Sequence, residues 1–69
     1  MKRSNVAGRV RAFDFDEGLG EVTADDGTTY PFHCTAIADG TRDIPVDTAV
    51  HFDVVAGHHG RWEADNLVP

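Results

Sequence analysis

D-E-G-L-G-E-V, residues 16 to 22, sets two glycines one residue apart and closes on a β-branched residue. Glycine inside a strand pattern lets a second backbone or a flat ring approach closely, so Leu19 to Ala24 predicts a strand that meets another surface. The acidic run Asp14-Phe15-Asp16-Glu17-Gly18 before it reads as a turn. Asp25-Asp26-Gly27 after it is a hairpin signal, because Asp and Gly tolerate the positive φ that tight turns need.

On the N-terminal side, Val6 to Phe13 has a period of two, with Val6, Gly8 and Val10 on one face and Ala7, Arg9 and Arg11 on the other. On the C-terminal side, Thr28 to Cys34 predicts a third strand with Tyr30 and Phe32 facing the core. Pro31 lacks an N–H and points to an edge position. Thr35 to Thr48 is a longer connection, with a helical turn near Ala36 to Asp39 and with Ile37 and Ile44 pinning it to the body. Val50-His51-Phe52-Asp53-Val54 alternates cleanly, with Val50, Phe52 and Val54 inward. Gly57-His58-His59-Gly60 forms a loop, and Arg61 to Val68 supplies the last strand. Residues 1–5 are a basic tail and residues 6–69 one domain. Five short strands without a long helix predict an all-β, five-stranded antiparallel barrel.

Composition narrows the function. A chain of 69 residues holds one small core. Its single cysteine, Cys34, forms no internal disulfide, and zinc-ligand spacings are absent, which fits the reducing cytosol. No apolar run suits a signal-peptide core or a membrane span. The net charge of −6 is unevenly spread. Lys2, Arg3, Arg9 and Arg11 precede every acid, and from Ala12 onward twelve acids face only Arg42 and Arg61, a balance of −10. That is a poor background for phosphate, although a basic first strand can still steer one end of an anion.

Catalytic patterns are lacking. Gly18-x-Gly20 is followed by Thr23 where a dinucleotide fingerprint needs glycine, and by no helix. His33 and Cys34 are strand neighbours whose side chains point to opposite faces, so they form no nucleophile and base pair. Carboxylates such as Asp14 and Asp16 are solvated in so acidic a chain. The expectation is a protein that is no enzyme and holds no cofactor and no metal.

From Gly8 to Leu67 the order of elements resembles the bacterial cold-shock protein family. Gly8-Arg9-Val10-Arg11-Ala12-Phe13 looks like its opening strand, Glu17-Gly18-Leu19-Gly20-Glu21-Val22-Thr23 like its first RNA-binding motif, and Phe32-His33-Cys34-Thr35-Ala36-Ile37 like its second. The spacing matches without a gap through Ile37. The later connection is a residue short and the loop before Ala64-Asp65-Asn66-Leu67 a residue long. The resemblance implies an OB-fold barrel of cold-shock-domain type. It also implies a monomer that binds single-stranded RNA or DNA by stacking aromatic rings on bases, with lysines beside the phosphates.

The implied site is much altered in this chain. The tryptophan position of the opening strand is Ala12. The two phenylalanines of the first motif are Leu19 and Glu21, and its lysine is Glu17. The exposed phenylalanines of the second motif are Pro31 and Cys34. His33 is retained, Phe13 matches an aromatic position and Arg11 a basic one. Each stacked base contributes about 1–3 kcal/mol, so losing about four rings weakens binding severely, and Glu17 and Glu21 add repulsion toward phosphate. The remaining nucleic-acid-binding set is Arg9, Arg11, Phe13, Leu19, His33, His59 and Arg61. The alternative is a protein-docking face built from Phe15, Glu17, Glu21 and Trp62, since an exposed aromatic flanked by charge suits a protein partner. For Phe15 and Trp62 the competing expectation is that both fold back over the barrel.

Overall fold

The computed structural model describes residues 3–40, 43–57 and 60–69. Five strands, β1 (Arg3–Asp14), β2 (Leu19–Ala24), β3 (Thr29–His33), β4 (Ala49–Ala56) and β5 (Trp62–Val68), form one antiparallel sheet in the order β3-β2-β1-β4-β5. A 3₁₀ turn, Cys34–Ala36, follows β3. The all-β, five-stranded expectation holds. The sheet coils on itself until β3 and β5 lie against each other, but no hydrogen-bonded ladder joins them, so the sheet is not closed. A parallel bridge between Ile37 and Leu67, with the Ala38 N–H donating to the Leu67 carbonyl at 2.8 Å, ties the connection after β3 to β5.

Alternation explains which residues fill the interior. Val6 and Val10 of β1, Val22 and Ala24 of β2, Tyr30 and Phe32 of β3, Val50, Phe52 and Val54 of β4, and Ala64 and Leu67 of β5 are buried together with Ile37 and Ile44. Tyr30 meets Phe52 edge to face, with centroids 6.0 Å apart. Among the described residues no polar or charged side chain is buried. The core therefore rests on apolar burial alone, about 1.5–3 kcal/mol for each large side chain before chain entropy is subtracted.

Element ends shift by a few residues, and three features depart from the alternation pattern. β1 begins at Arg3, because Asn5 takes a positive φ of 55° at an irregularity in its pairing with β4, and its N–H donates to Asp53 Oδ1 at 3.0 Å. Asn tolerates that backbone region better than most residues. The helical turn after β3 covers Cys34–Ala36 and not Ala36 to Asp39. In β1 a bulge at Arg11 separates the pairs Val10–Val22 and Ala12–Glu21. The extra residue reverses the phase of the strand beyond it.

Both turns around β2 are held by local bonds. The Gly18 N–H donates to the Asp14 carbonyl at 2.8 Å, the Glu17 N–H to Asp14 Oδ1 at 3.1 Å, and the Gly18 carbonyl accepts the Cys34 N–H at 2.7 Å. Gly18 has a φ of 67°, a region where a Cβ is strained. Gly18→Ala is expected to lower unfolding free energy by about 1 kcal/mol in urea titration, with an unchanged slope. At the second turn the Thr28 N–H donates to Asp26 Oδ1 at 2.9 Å, and Arg3 lies 3.6 Å from the same carboxylate. The Thr28 bonds first, and Arg3 after them, hold the Asp26 carboxyl below its ordinary range. That contribution is present at neutral pH and disappears as pH falls through the lowered value.

Candidate functional site

Residues paired across antiparallel strands project to the same face, so the ladder sorts the side chains of β1, β2 and β3 into rows. Arg9, Thr23 and Thr29 form one outward row, in which the two threonine hydroxyls lie 3.2 Å apart. Past the bulge, Ala12, Glu21 and Pro31 form the second outward row, and Asp14, Leu19 and His33 the third. Between these two lies an inward row of Phe13, Gly20 and Phe32.

The inward row explains the second glycine of residues 16 to 22. A Cβ on Gly20 would sit 2.5 Å from the Phe32 ring and 2.8 Å from the Ala12 carbonyl oxygen. Its absence lets the rings of Phe13 and Phe32 stack across β2, with centroids 5.9 Å apart and planes inclined by 13°. The flat ring expected to approach this strand is therefore the protein's own. Without the bulge, alternation would turn Phe13 outward; with it, Phe13 is half-buried against the core.

The outward rows open into a shallow groove that runs from β1 over β2 to β3 and is completed by Arg61 and Glu63 at the start of β5. Leu19, Pro31 and the margin of Phe13 give it apolar surface, and His33 stands at its β3 end. Its charge is mixed: Asp14, Glu21 and Glu63 line it against the single guanidinium of Arg61. Arg11 is exposed in the bulge beside it, and Arg9 lies one row further along β1. The Arg9 guanidinium donates to the Asp47 carbonyl at 3.0 Å, which holds its stem against the connection before β4.

Of the expected binding residues, Phe13, Leu19, His33 and Arg61 share this groove; Arg11 is exposed in the bulge next to Ala12, and Arg9 lies outside the groove with its guanidinium on the Asp47 carbonyl. His59 lies outside the described residues, as does His58. Of the alternative surface, Glu21 is inside the groove, and Phe15 and Glu17 stand on the turn at its end. Phe15 is 60% exposed and does not fold back over the barrel. Trp62, paired with Ala56 at the start of β5, is 40% exposed. Cys34 is buried, on the face that alternation from Phe32 gives it and opposite to His33, and not at the exposed phenylalanine position that the resemblance implied. Asp14 and Glu63 line the groove as well. Only the coiling that carries β5 to β3 brings Glu63 there, and no local signal announces it.

Among the described residues no three His, Cys, Asp or Glu side chains are placed to hold a metal ion, and no helix is long and apolar enough to cross a membrane. No family model matches the chain. It is 34% identical over 64 residues to cold shock-like protein CspC of Bacillus cereus, an alignment covering 91% of this chain and 97% of that protein. It is 32% identical over 62 residues to cold shock protein 1 of Arabidopsis thaliana, covering 87% of this chain but spanning only 21% of that longer protein.

Proposed function

Because the chain belongs to the cold-shock protein family, matching the Bacillus protein over nearly its whole length, we propose that it binds single-stranded RNA or DNA weakly across the outer face of β1, β2 and β3. One observation carries this: Leu19 and His33 stand side by side in the third outward row, in an open groove that Arg61 lines, with Arg11 exposed in the bulge next to the groove residue Ala12. That arrangement offers a base an apolar side chain and an imidazole ring, and offers phosphates the Arg61 guanidinium with Arg11 exposed on the neighbouring bulge. Weakness follows from the second row, where Ala12, Glu21 and Pro31 present no aromatic ring and one carboxylate.

The test is a titration of isotope-labelled protein with oligothymidine and a matching RNA at low salt. Amides of Arg9, Arg11, Phe13, Leu19, His33 and Arg61 are expected to shift together and saturably. Affinity should fall as salt rises, with a logarithmic slope of about −0.7 for each neutralised phosphate, and Arg11→Ala should flatten that slope by about 0.7. No shift at high micromolar ligand would remove this function.

A second occupant, a protein, is favoured by a specific observation: Phe15 and Trp62 are both exposed, and such rings anchor protein contacts. On this reading the groove and the turn at its end meet a partner's surface in place of a nucleic acid.

A further inference from the structure

Five large apolar side chains are exposed among the described residues, and two of them, Phe15 and Leu19, flank the turn between β1 and β2. Leu19 is 42% exposed and pairs with Asp14, the residue before Phe15. We propose that this tip docks a basic segment of a partner protein that carries an aromatic or apolar side chain. The proposal rests on the protein-docking reading and gives that partner its chemistry.

The tip is built to present Phe15. Asp14 accepts from the Glu17 and Gly18 N–H groups through its carboxylate and its carbonyl, and Gly18 is joined in turn to Cys34 at the end of β3. A ring carried on a turn braced at three points loses little further freedom on binding, which is the condition for an efficient anchor.

Charge complementarity selects the occupant. Asp14, Asp16, Glu17 and Glu21 lie within eight residues of chain, no lysine or arginine stands between Ala12 and Thr41, and Arg61 is the one guanidinium that shares the groove with Asp14 and Glu21. Asp14 ends β1, Asp16 and Glu17 stand on the turn, and Glu21 is on the strand that leaves it, so their charges add to one field around the tip. A phosphate backbone or an acidic protein is repelled by it. An uncharged apolar surface would cover the carboxylates without giving them partners, which is unfavourable. Arginine or lysine side chains flanking an aromatic residue satisfy both halves: the ring packs on Phe15 and Leu19, and the cations meet the carboxylates around them.

The experiment uses three synthetic ten-residue peptides: one of arginine and tryptophan with glycine spacers, one with serine for each tryptophan, and one with glutamate for each arginine. The arginine–tryptophan peptide is expected to bind saturably and at least tenfold more tightly than the arginine–serine peptide, and the glutamate peptide not at all. Phe15→Ser should weaken the first peptide at least tenfold while leaving the unfolding midpoint in urea unchanged, since the ring is mostly solvated. Asp16→Asn with Glu17→Gln should weaken it as well and reduce its salt dependence. Equal binding of the arginine–serine peptide, or indifference to Phe15→Ser, overturns the proposal.

Oligothymidine titrated against the same variants separates the two functions. Oligothymidine affinity within twofold of the parent in Phe15→Ser is the expected result. A tenfold loss there would make the tip part of the nucleic-acid surface and overturn the docking proposal alone. Peptide binding by a protein that ignores oligothymidine altogether would support docking and remove the nucleic-acid function.

Discussion

Glu21→Phe is expected to tighten oligothymidine binding by between fivefold and about a hundredfold. Glu21 is the middle residue of the outward row Ala12, Glu21, Pro31 and lines the groove directly. A ring there adds one stacking platform beside the Leu19 and His33 row, worth about 1–3 kcal/mol per stacked base. The same change removes one of three carboxylates from the path of the phosphates. Glu21→Gln isolates the second effect and should give a gain of only a few fold at low salt that vanishes at high salt, because the groove is open to water. Restoring rings at all three positions, with Ala12→Trp and Pro31→Phe, extends the platform across three strands. The gain should rise further, although less than additively, because neighbouring rings share bases. Isothermal titration at two salt concentrations checks all three variants. If the triple variant binds no better than the parent, nucleic acid does not use this face.

Phe32→Ala is expected to leave the chain largely unfolded at 25 °C. Phe32 is 1% exposed, stacks on Phe13 across Gly20, and stands at the meeting of the groove and the core. Removing a buried phenylalanine costs about 3–5 kcal/mol through lost burial and the cavity left behind. A single core of this size, with no disulfide, supplies about that much in total. Neighbours cannot fill the space, since Gly20 has no side chain and Phe13 is attached to the far side of β2. Phe32→Leu, which keeps most of the volume, should retain a cooperative transition at lowered stability. Far-UV circular dichroism with urea titration distinguishes the cases. An Ala variant whose stability lies within 1 kcal/mol of the parent would mean that the Phe13 and Phe32 stack contributes little to the fold.

Expectation and structure part at identifiable residues. Val50, Phe52 and Val54 were placed correctly because a strand's period of two is written directly in its side chains, and Tyr30 and Phe32 for the same reason. Pro31 does lie in an edge strand, β3, as its missing N–H requires. The turns at Gly18 and Gly27 follow from positive φ, a local constraint that local sequence can signal. Phe13 could not be placed by alternation, since a bulge inserts one residue without changing the chemistry of those around it, and Arg11 carries no mark of being that residue. Cys34 faces inward as alternation from Phe32 requires, and it is the resemblance to an exposed phenylalanine position that misplaces it.

Sequence alone determined the strands, the hairpins, the large aliphatic and aromatic residues of the core on β1, β3 and β4, and the acidic character of everything after Arg11. These depend on side-chain periodicity and backbone preference within a few residues. Tertiary structure decided which residues face one another across the groove. Arg61 and Glu63 reach His33 only because the sheet coils until β5 meets β3, and Phe13 reaches Phe32 only because Gly20 leaves the space between them empty. Contacts between residues far apart in the chain depend on twist, bulge and coil accumulated over the whole sheet, and no short stretch of sequence contains that sum.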